Sequence, residues 1–112
     1  MLSLALRIEI QEKGWIGFKK IVLLEHIAES GPIAEAARAI GMTYKNAWDA
    51  LAEMSDGLGQ VLVTRQTGGK KGGGAQLTPQ GHIVVESFRA MEDAAIKAAA
   101  KDLRILERKL QV

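Results

Sequence analysis

Pro32-Ile-Ala-Glu-Ala-Ala-Arg-Ala-Ile-Gly-Met-Thr-Tyr-Lys-Asn-Ala-Trp-Asp-Ala-Leu-Ala-Glu-Met54 is the stretch whose reading decides the fold. Apolar residues recur in it at helical spacing twice, as Ile33, Ala36, Ala37 and Ile40 before Gly41 and as Ala47, Ala50, Leu51 and Met54 after it. Each set forms one face of a short helix, over about 33–40 and from Thr43 to about residue 54. Gly41 can take the left-handed backbone that turns one helix onto the next, and Thr43 is a good N-cap for the second. Two short helices joined in this way predict a helix-turn-helix. The second opens on Thr43, Tyr44, Lys45 and Asn46, polar groups of the kind that reach base edges in a major groove.

Working outward, the β-branched run at 61–65 predicts a short strand, and Ala75-Gln-Leu77 returns to pair with it. Between them lies Thr67-Gly-Gly-Lys-Lys-Gly-Gly-Gly-Ala75. No acidic residue occurs between Asp56 and Glu86, whereas Arg65, Lys70 and Lys71 do, so this hairpin carries a local positive charge although the net charge of the chain is only +2. It reads as a basic wing at about 66–75. Upstream, Leu4, Leu6, Ile8 and Ile10 alternate with Ala5, Arg7, Glu9 and Gln11, the period of a half-buried strand, expected at the edge of the small sheet. Gly14 and Gly17 break that pattern. Ile21, Leu24, Ile27 and Ala28 then predict a helix over about 18–29.

Thr78-Pro79 caps and starts the last helix, which meets no breaker after Gly81 and extends over about 79–110. Its distal half carries Ile96, Ala99, Leu103, Leu106 and Leu110 at three-four spacing, an apolar seam that calls for a partner helix and predicts a homodimer. The fold class expected is mostly α with a small β-sheet: a single winged helix-turn-helix domain over 1–112 with a long C-terminal dimerisation helix. A length of 112 residues leaves no room for a second ligand-binding domain, and 47% hydrophobic content suffices for a modest core.

The candidate DNA-binding residues are Thr43, Tyr44, Lys45, Asn46, Trp48, Arg65, Thr67, Lys70 and Lys71. Asn46 suits adenine and Lys45 suits guanine or phosphate. Plainer roles compete: Thr43 as a cap, Lys45 as a solvated charge, Asn46 bonded to the first helical turn. Trp48 lies one turn beyond Tyr44 on the polar side, where it either contacts DNA or packs under the wing or another helix.

Other chemistries find little support. The glycine loop lacks a following Gly-Lys-Ser or Gly-Lys-Thr and leads into a strand, so it is not a P-loop, although an oxyanion nest stays open. His26 and His82 have no carboxylate or thiol at metal-ligand spacing, and Ser3, Ser30, Ser55 and Ser87 have no nucleophile-elbow setting. No enzyme, cofactor or metal site is expected. With no cysteine and an apolar start interrupted by Arg7 and Glu9, the chain is expected to be a cytoplasmic protein without a membrane partner.

The phrases Thr43-Tyr-Lys-Asn-Ala-Trp-Asp-Ala50, Glu53-Met54, Leu62-Val63 with Arg65, Thr67-Gly-Gly-Lys with Gly72-Gly-Gly-Ala75, and Leu77-Thr78 with Gly81 resemble the N-terminal DNA-binding domain of the ModE family. That family comprises molybdate-responsive, LysR-related transcription regulators, and the resemblance spans about 19–90. It implies a dimer that binds double-stranded DNA sequence-specifically and regulates transcription. Full-length members add a C-terminal pair of molybdate-binding modules, so the resemblance leaves sensing either to a separate oxyanion-sensing protein or to none, as in constitutive repression. Two other functions remain to be separated from this one: a winged-helix protein-interaction module, and an oxyanion-binding protein using the glycine loop.

Overall fold

The computed structural model describes residues 1–66 and 74–112. Its elements run β1 (Arg7–Glu9), β2 (Trp15–Gly17), α1 (Phe18–Ser30), α2 (Ile33–Ala39), α3 (Tyr44–Leu58), β3 (Val63–Gln66), β4 (Gly74–Leu77) and α4 (Pro79–Leu110). The fold is mostly α with a small β component, a winged helix-turn-helix followed by a long helix.

The α2–turn–α3 unit follows the spacing of its sequence. Ile33, Ala36 and Ala37 of α2 and Ala47, Ala50, Leu51 and Met54 of α3 are all buried, facing Ile21, Leu23, Leu24 and Ile27 of α1. Alanine at 36, 37 and 47 removes side-chain bulk where the helices meet. Gly41 takes φ +69°, as the turn requires.

The β component is divided in two. β3 pairs antiparallel with β4, with Val63 opposite Leu77 and Arg65 opposite Ala75. β1 does not edge that sheet; it pairs with β2, Ile8 opposite Ile16, in a separate hairpin closed by the Ile10 N–H donating to the Gly14 carbonyl at 2.8 Å. β2 is only three residues long, follows Gly14 directly and ends on Gly17, too short for any alternation to announce it. Leu6, Ile8 and Ile10 pack against the core as the alternation predicted, but Leu4 does not: it lies ahead of the three-residue β1 and is 40% exposed.

The wing strands are seated by specific backbone bonds. The Ala75 N–H donates to the Gly31 carbonyl at 3.1 Å, which ties β4 to the end of α1. Thr78 caps α4 by accepting the Gly81 N–H at 3.0 Å, while its hydroxyl donates to the Val61 carbonyl at 2.6 Å and its own N–H to the Leu62 carbonyl at 2.9 Å. Gly81 lies so close to Leu62 that a Cβ there would collide with the Leu62 carbonyl oxygen.

The proximal part of α4 is fastened to the core by Phe88, which is fully buried, and to α1 by Arg89. The guanidinium donates to both Glu25 oxygens, at 2.9 and 2.7 Å, and to Glu92 at 2.8 Å, and it covers the Phe18 ring at 5.2 Å. The Arg89 hydrogen bonds hold the Glu25 carboxyl below its ordinary range. Farther along α4 the apolar seam is thinly covered: Ile96 is 45% exposed, Leu106 45% and Leu110 61%, with Ala99 and Leu103 half-buried. Part of its cover comes from an unforeseen source, the chain's own N-terminus. The Leu2 N–H donates to Glu107 at 2.8 Å, and Leu2 and Leu4 line a shallow groove of about 280 Å³ with Ile96 and Leu103.

Candidate nucleic-acid interface

The exposed start of α3 is built by its cap. Thr43 takes an extended backbone conformation and its Oγ1 accepts the Asn46 N–H at 3.0 Å, satisfying a donor that the first turn leaves free. With Ala47, Ala50, Leu51 and Met54 held in the core, Tyr44, Lys45 and Asn46 are left on the solvent side. The hydrogen bond at Asn46 is thus made by its backbone, while its side chain is exposed. Lys45 has a partner: its Nζ lies 2.7 Å from Asp49 Oδ2 across one helical turn. That hydrogen bond, and then the carboxylate charge, raise the Lys45 pKa. Both side chains are largely exposed, which leaves the pair screened and easily exchanged for a phosphate.

Trp48 is half-buried and packs against the core, its ring 6.1 Å from Tyr44 in an edge-on arrangement at 76°. Arg65 arrives from β3 and sets its guanidinium 5.4 Å from the centroid of the same ring. The structure therefore brings together Tyr44, Trp48 and Arg65, which are predicted separately as helix and wing residues. Between α3 and β3, Trp48 and Arg65 border an apolar hollow of about 230 Å³ whose other walls are Leu51, Ala52, Ser55 and Val63. Thr67, Lys70 and Lys71, and with them the glycine loop, lie outside the described residues.

The far end of α3 is anchored by residues that sequence reasoning missed. Lys20 Nζ lies 2.7 Å from Glu53 Oε1 and donates to the Trp15 carbonyl at 2.6 Å, while the Trp15 N–H donates to the same Glu53 oxygen at 3.3 Å. The Lys20 hydrogen bond is the main cause that lowers the Glu53 pKa. Arg7 and Lys20 each lie near the Trp15 ring, at 5.1 and 5.0 Å. These contacts tie α3 to the β1–β2 hairpin and fix the direction of its exposed end. Glu53 stands 33 residues from Lys20, so no local pattern could reveal the pair.

His26 and His82, apart in sequence, share a cleft between α1 and α4 with Glu25 and Glu29. Among the described residues, however, no three of His, Cys, Asp or Glu are placed to hold a metal ion. No helix among them is long and apolar enough to cross a membrane.

An N-capped helix that presents a phenol, an ammonium and a carboxamide, flanked by an arginine on a strand, can insert into a major groove and hold the adjacent phosphates. Comparison with known proteins points the same way. Residues 18–82 match the family described as bacterial regulatory helix-turn-helix protein, lysR family. The chain is 40% identical over 96 residues to the DNA-binding transcriptional dual regulator ModE of Escherichia coli (strain K12), covering 86% of this chain and 37% of that protein. It is 42% identical over 83 residues to the molybdenum-pterin-binding protein MopA of Rhodobacter capsulatus, covering 74% of this chain and 31% of that protein. The chain thus spans about a third of the length of the curated relatives it matches. Among solved structures, the DNA-binding domain of CbnR in complex with DNA superposes with a TM-score of 0.62 at 22% identity, over 79% of this chain and 95% of that one. At that identity the likeness is one of fold.

Proposed function

The chain belongs to the bacterial regulatory helix-turn-helix proteins of the lysR family, and we propose that it binds double-stranded DNA sequence-specifically as a homodimer and regulates transcription. The observation that carries this reading is the start of α3, where Tyr44, Lys45 and Asn46 stand exposed on a capped helix whose opposite face is locked in the core. Lys45 and Asn46 read base edges, Arg65 and the wing lysines Lys70 and Lys71 hold phosphates, and Thr43 and Thr67 add backbone contacts. The seam of α4 pairs two chains. That pairing sets two recognition helices about one DNA turn apart, near 34 Å, and matches a palindromic operator. The relatives' names direct the regulon to molybdenum, so the genes controlled are those of molybdate uptake and molybdoenzymes.

Selection of duplexes from a random pool by the purified chain, followed by binding at several salt concentrations, tests this directly. The expected result is an enriched palindrome whose affinity falls linearly with log salt. Enrichment of no sequence, together with no salt-dependent binding to duplex DNA, overturns the proposal in favour of a protein-interaction module.

A further inference from the structure

We infer that Trp48 is a positioning residue: it contacts no base, and its ring is the platform that holds Arg65 ready for a phosphate beside the recognition helix. This rests on the DNA-binding reading above and assigns a division of labour within it. Trp48 is half-buried, with part of its surface against the core and Tyr44 meeting it edge-on at 6.1 Å. The Arg65 guanidinium lies over the ring, 5.4 Å from its centroid, and takes up part of the surface that is left. A ring so surrounded has little surface left for a base.

Arg65 is the opposite case. It is exposed, and among the described residues no carboxylate lies within ion-pair distance of it, in contrast to Lys20, Lys45 and Lys97, which each have one, and to Arg89, which has two. Its backbone is held by pairing opposite Ala75, which is itself buried and bonded to Gly31. The Trp48 face adds the restraint on the side chain. A cation over an aromatic face keeps its N–H donors free at the edge, which is the geometry for a bidentate phosphate contact, and rotamer freedom given up in the free protein is not lost again on binding. Trp48 also joins the wing to α3, so a phosphate held by Arg65 fixes the register of Lys45 and Asn46 on the bases.

The test combines binding with a DNA-free readout on the full chain. By NMR of the free protein, the Arg65 side-chain resonances are expected to be shifted by the indole ring in wild type, retained in Trp48→Phe and lost in Trp48→Leu. In binding to the selected duplex and to a scrambled one, Arg65→Ala should weaken both by about tenfold or more and lower the salt slope by about one unit. Trp48→Leu should weaken both by about two- to fivefold, Trp48→Phe should restore most of that loss, and Trp48→Leu should cost nothing further in the Arg65→Ala background. Thermal melts identify a variant that fails to fold, and Trp48→Phe then carries the comparison. Additive losses, or a Trp48→Leu protein with unchanged affinity for scrambled DNA and an altered base preference, overturn the inference. Absence of the ring shift in the free wild-type protein overturns it independently of DNA. Retention of the shift in a wild-type chain that binds no duplex instead removes the DNA-binding reading, and this assignment with it.

Discussion

α3 and the distal half of α4 are both amphipathic helices, yet the fold treats them in opposite ways. α3 has its apolar face sealed, with Ala47 and Met54 wholly inaccessible, and leaves its polar face to solvent. Distal α4 leaves its apolar face open at Ile96, Leu106 and Leu110, with only the N-terminal Leu2 and Leu4 laid against part of it. A helix whose apolar face is sealed offers its polar side chains in a fixed direction, which suits recognition of a patterned polar surface such as a DNA groove. A helix whose apolar face is open retains a reason to associate, since each large side chain left in water forfeits roughly 1.5 to 3 kcal/mol of available burial.

The largest expected difference between the two helices is in folding. Met54→Ala removes a side chain from a filled core and should destabilise the protein by about 2 to 5 kcal/mol. Leu106→Ala should change the stability of the folded chain at high dilution by no more than about 0.5 kcal/mol, because the side chain is 45% exposed and, among the described residues, stands outside the packed core. Denaturant titrations at two protein concentrations measure both, and equal losses at high dilution would erase the contrast between the helices.

Next comes assembly. Leu103→Glu with Leu106→Glu places two charges on the seam and should yield monomers that still fold and bind a half-site weakly, since the recognition surface is built without distal α4. Sedimentation velocity at micromolar concentration decides the matter. A wild-type chain already monomeric, or a double variant still dimeric, shows that the seam is not the interface.

How much of this contrast was legible depended on the range of the interactions involved. Helix faces are local, so the spacing of Ile33 to Met54 located α2, α3 and the turn between them, and Thr43 announced its cap. The seam of α4 was equally visible. What covers it in part was not, since Leu2 and Glu107 are 105 residues apart. The same holds for Glu53 with Lys20 and for Arg89 with Glu25, 64 residues away, whereas packing of Trp48 at the wing was one of the roles its position left open, and only the partner, Arg65, was not foreseen. β2 escaped for another reason: a strand of three residues, one of them Gly17, carries no period at all. The pair of Lys45 and Asp49 is the instructive middle case, because its spacing of four was in the sequence and the structure shows the carboxylate that Lys45 holds across one helical turn.

Within the polar face of α3, removing a base contact should exceed removing a phosphate contact in sequence discrimination. Lys45→Ala and Asn46→Ala should each cost roughly 1 to 3 kcal/mol against the selected operator and leave the fold intact. Replacing Lys70 and Lys71 by Ala should weaken selected and scrambled duplexes alike and reduce the salt slope by up to about two units. Anisotropy titrations at several salt concentrations distinguish them. A wing variant that changes sequence preference while keeping its slope would move base reading from α3 to the wing.

The smallest effect concerns acid, and it separates the anchored parts of the molecule from the open seam. Glu53, which fastens α3 through Lys20, and Glu25, which fastens proximal α4 through Arg89, both have pKa values below the ordinary 4.5 of the unfolded chain. The unfolded state therefore takes up these protons first. The stabilisation is complete above about pH 4.5 and is lost as the pH falls below it toward the lowered folded values. Both carboxylates are a third or more exposed, so solvent screening limits each to a few tenths up to about 1 kcal/mol. Glu25→Gln and Glu53→Gln should each lower stability at pH 7 by that amount and flatten the fall in stability between pH 5 and 3, on the order of one titrating group each. Leu106→Ala should leave the acid dependence of the folded chain unchanged, because no carboxylate of these two anchors touches the seam. Chemical denaturation across that range checks the sign, and an unaltered acid slope in both glutamine variants would show that the two ion pairs do not stabilise the fold.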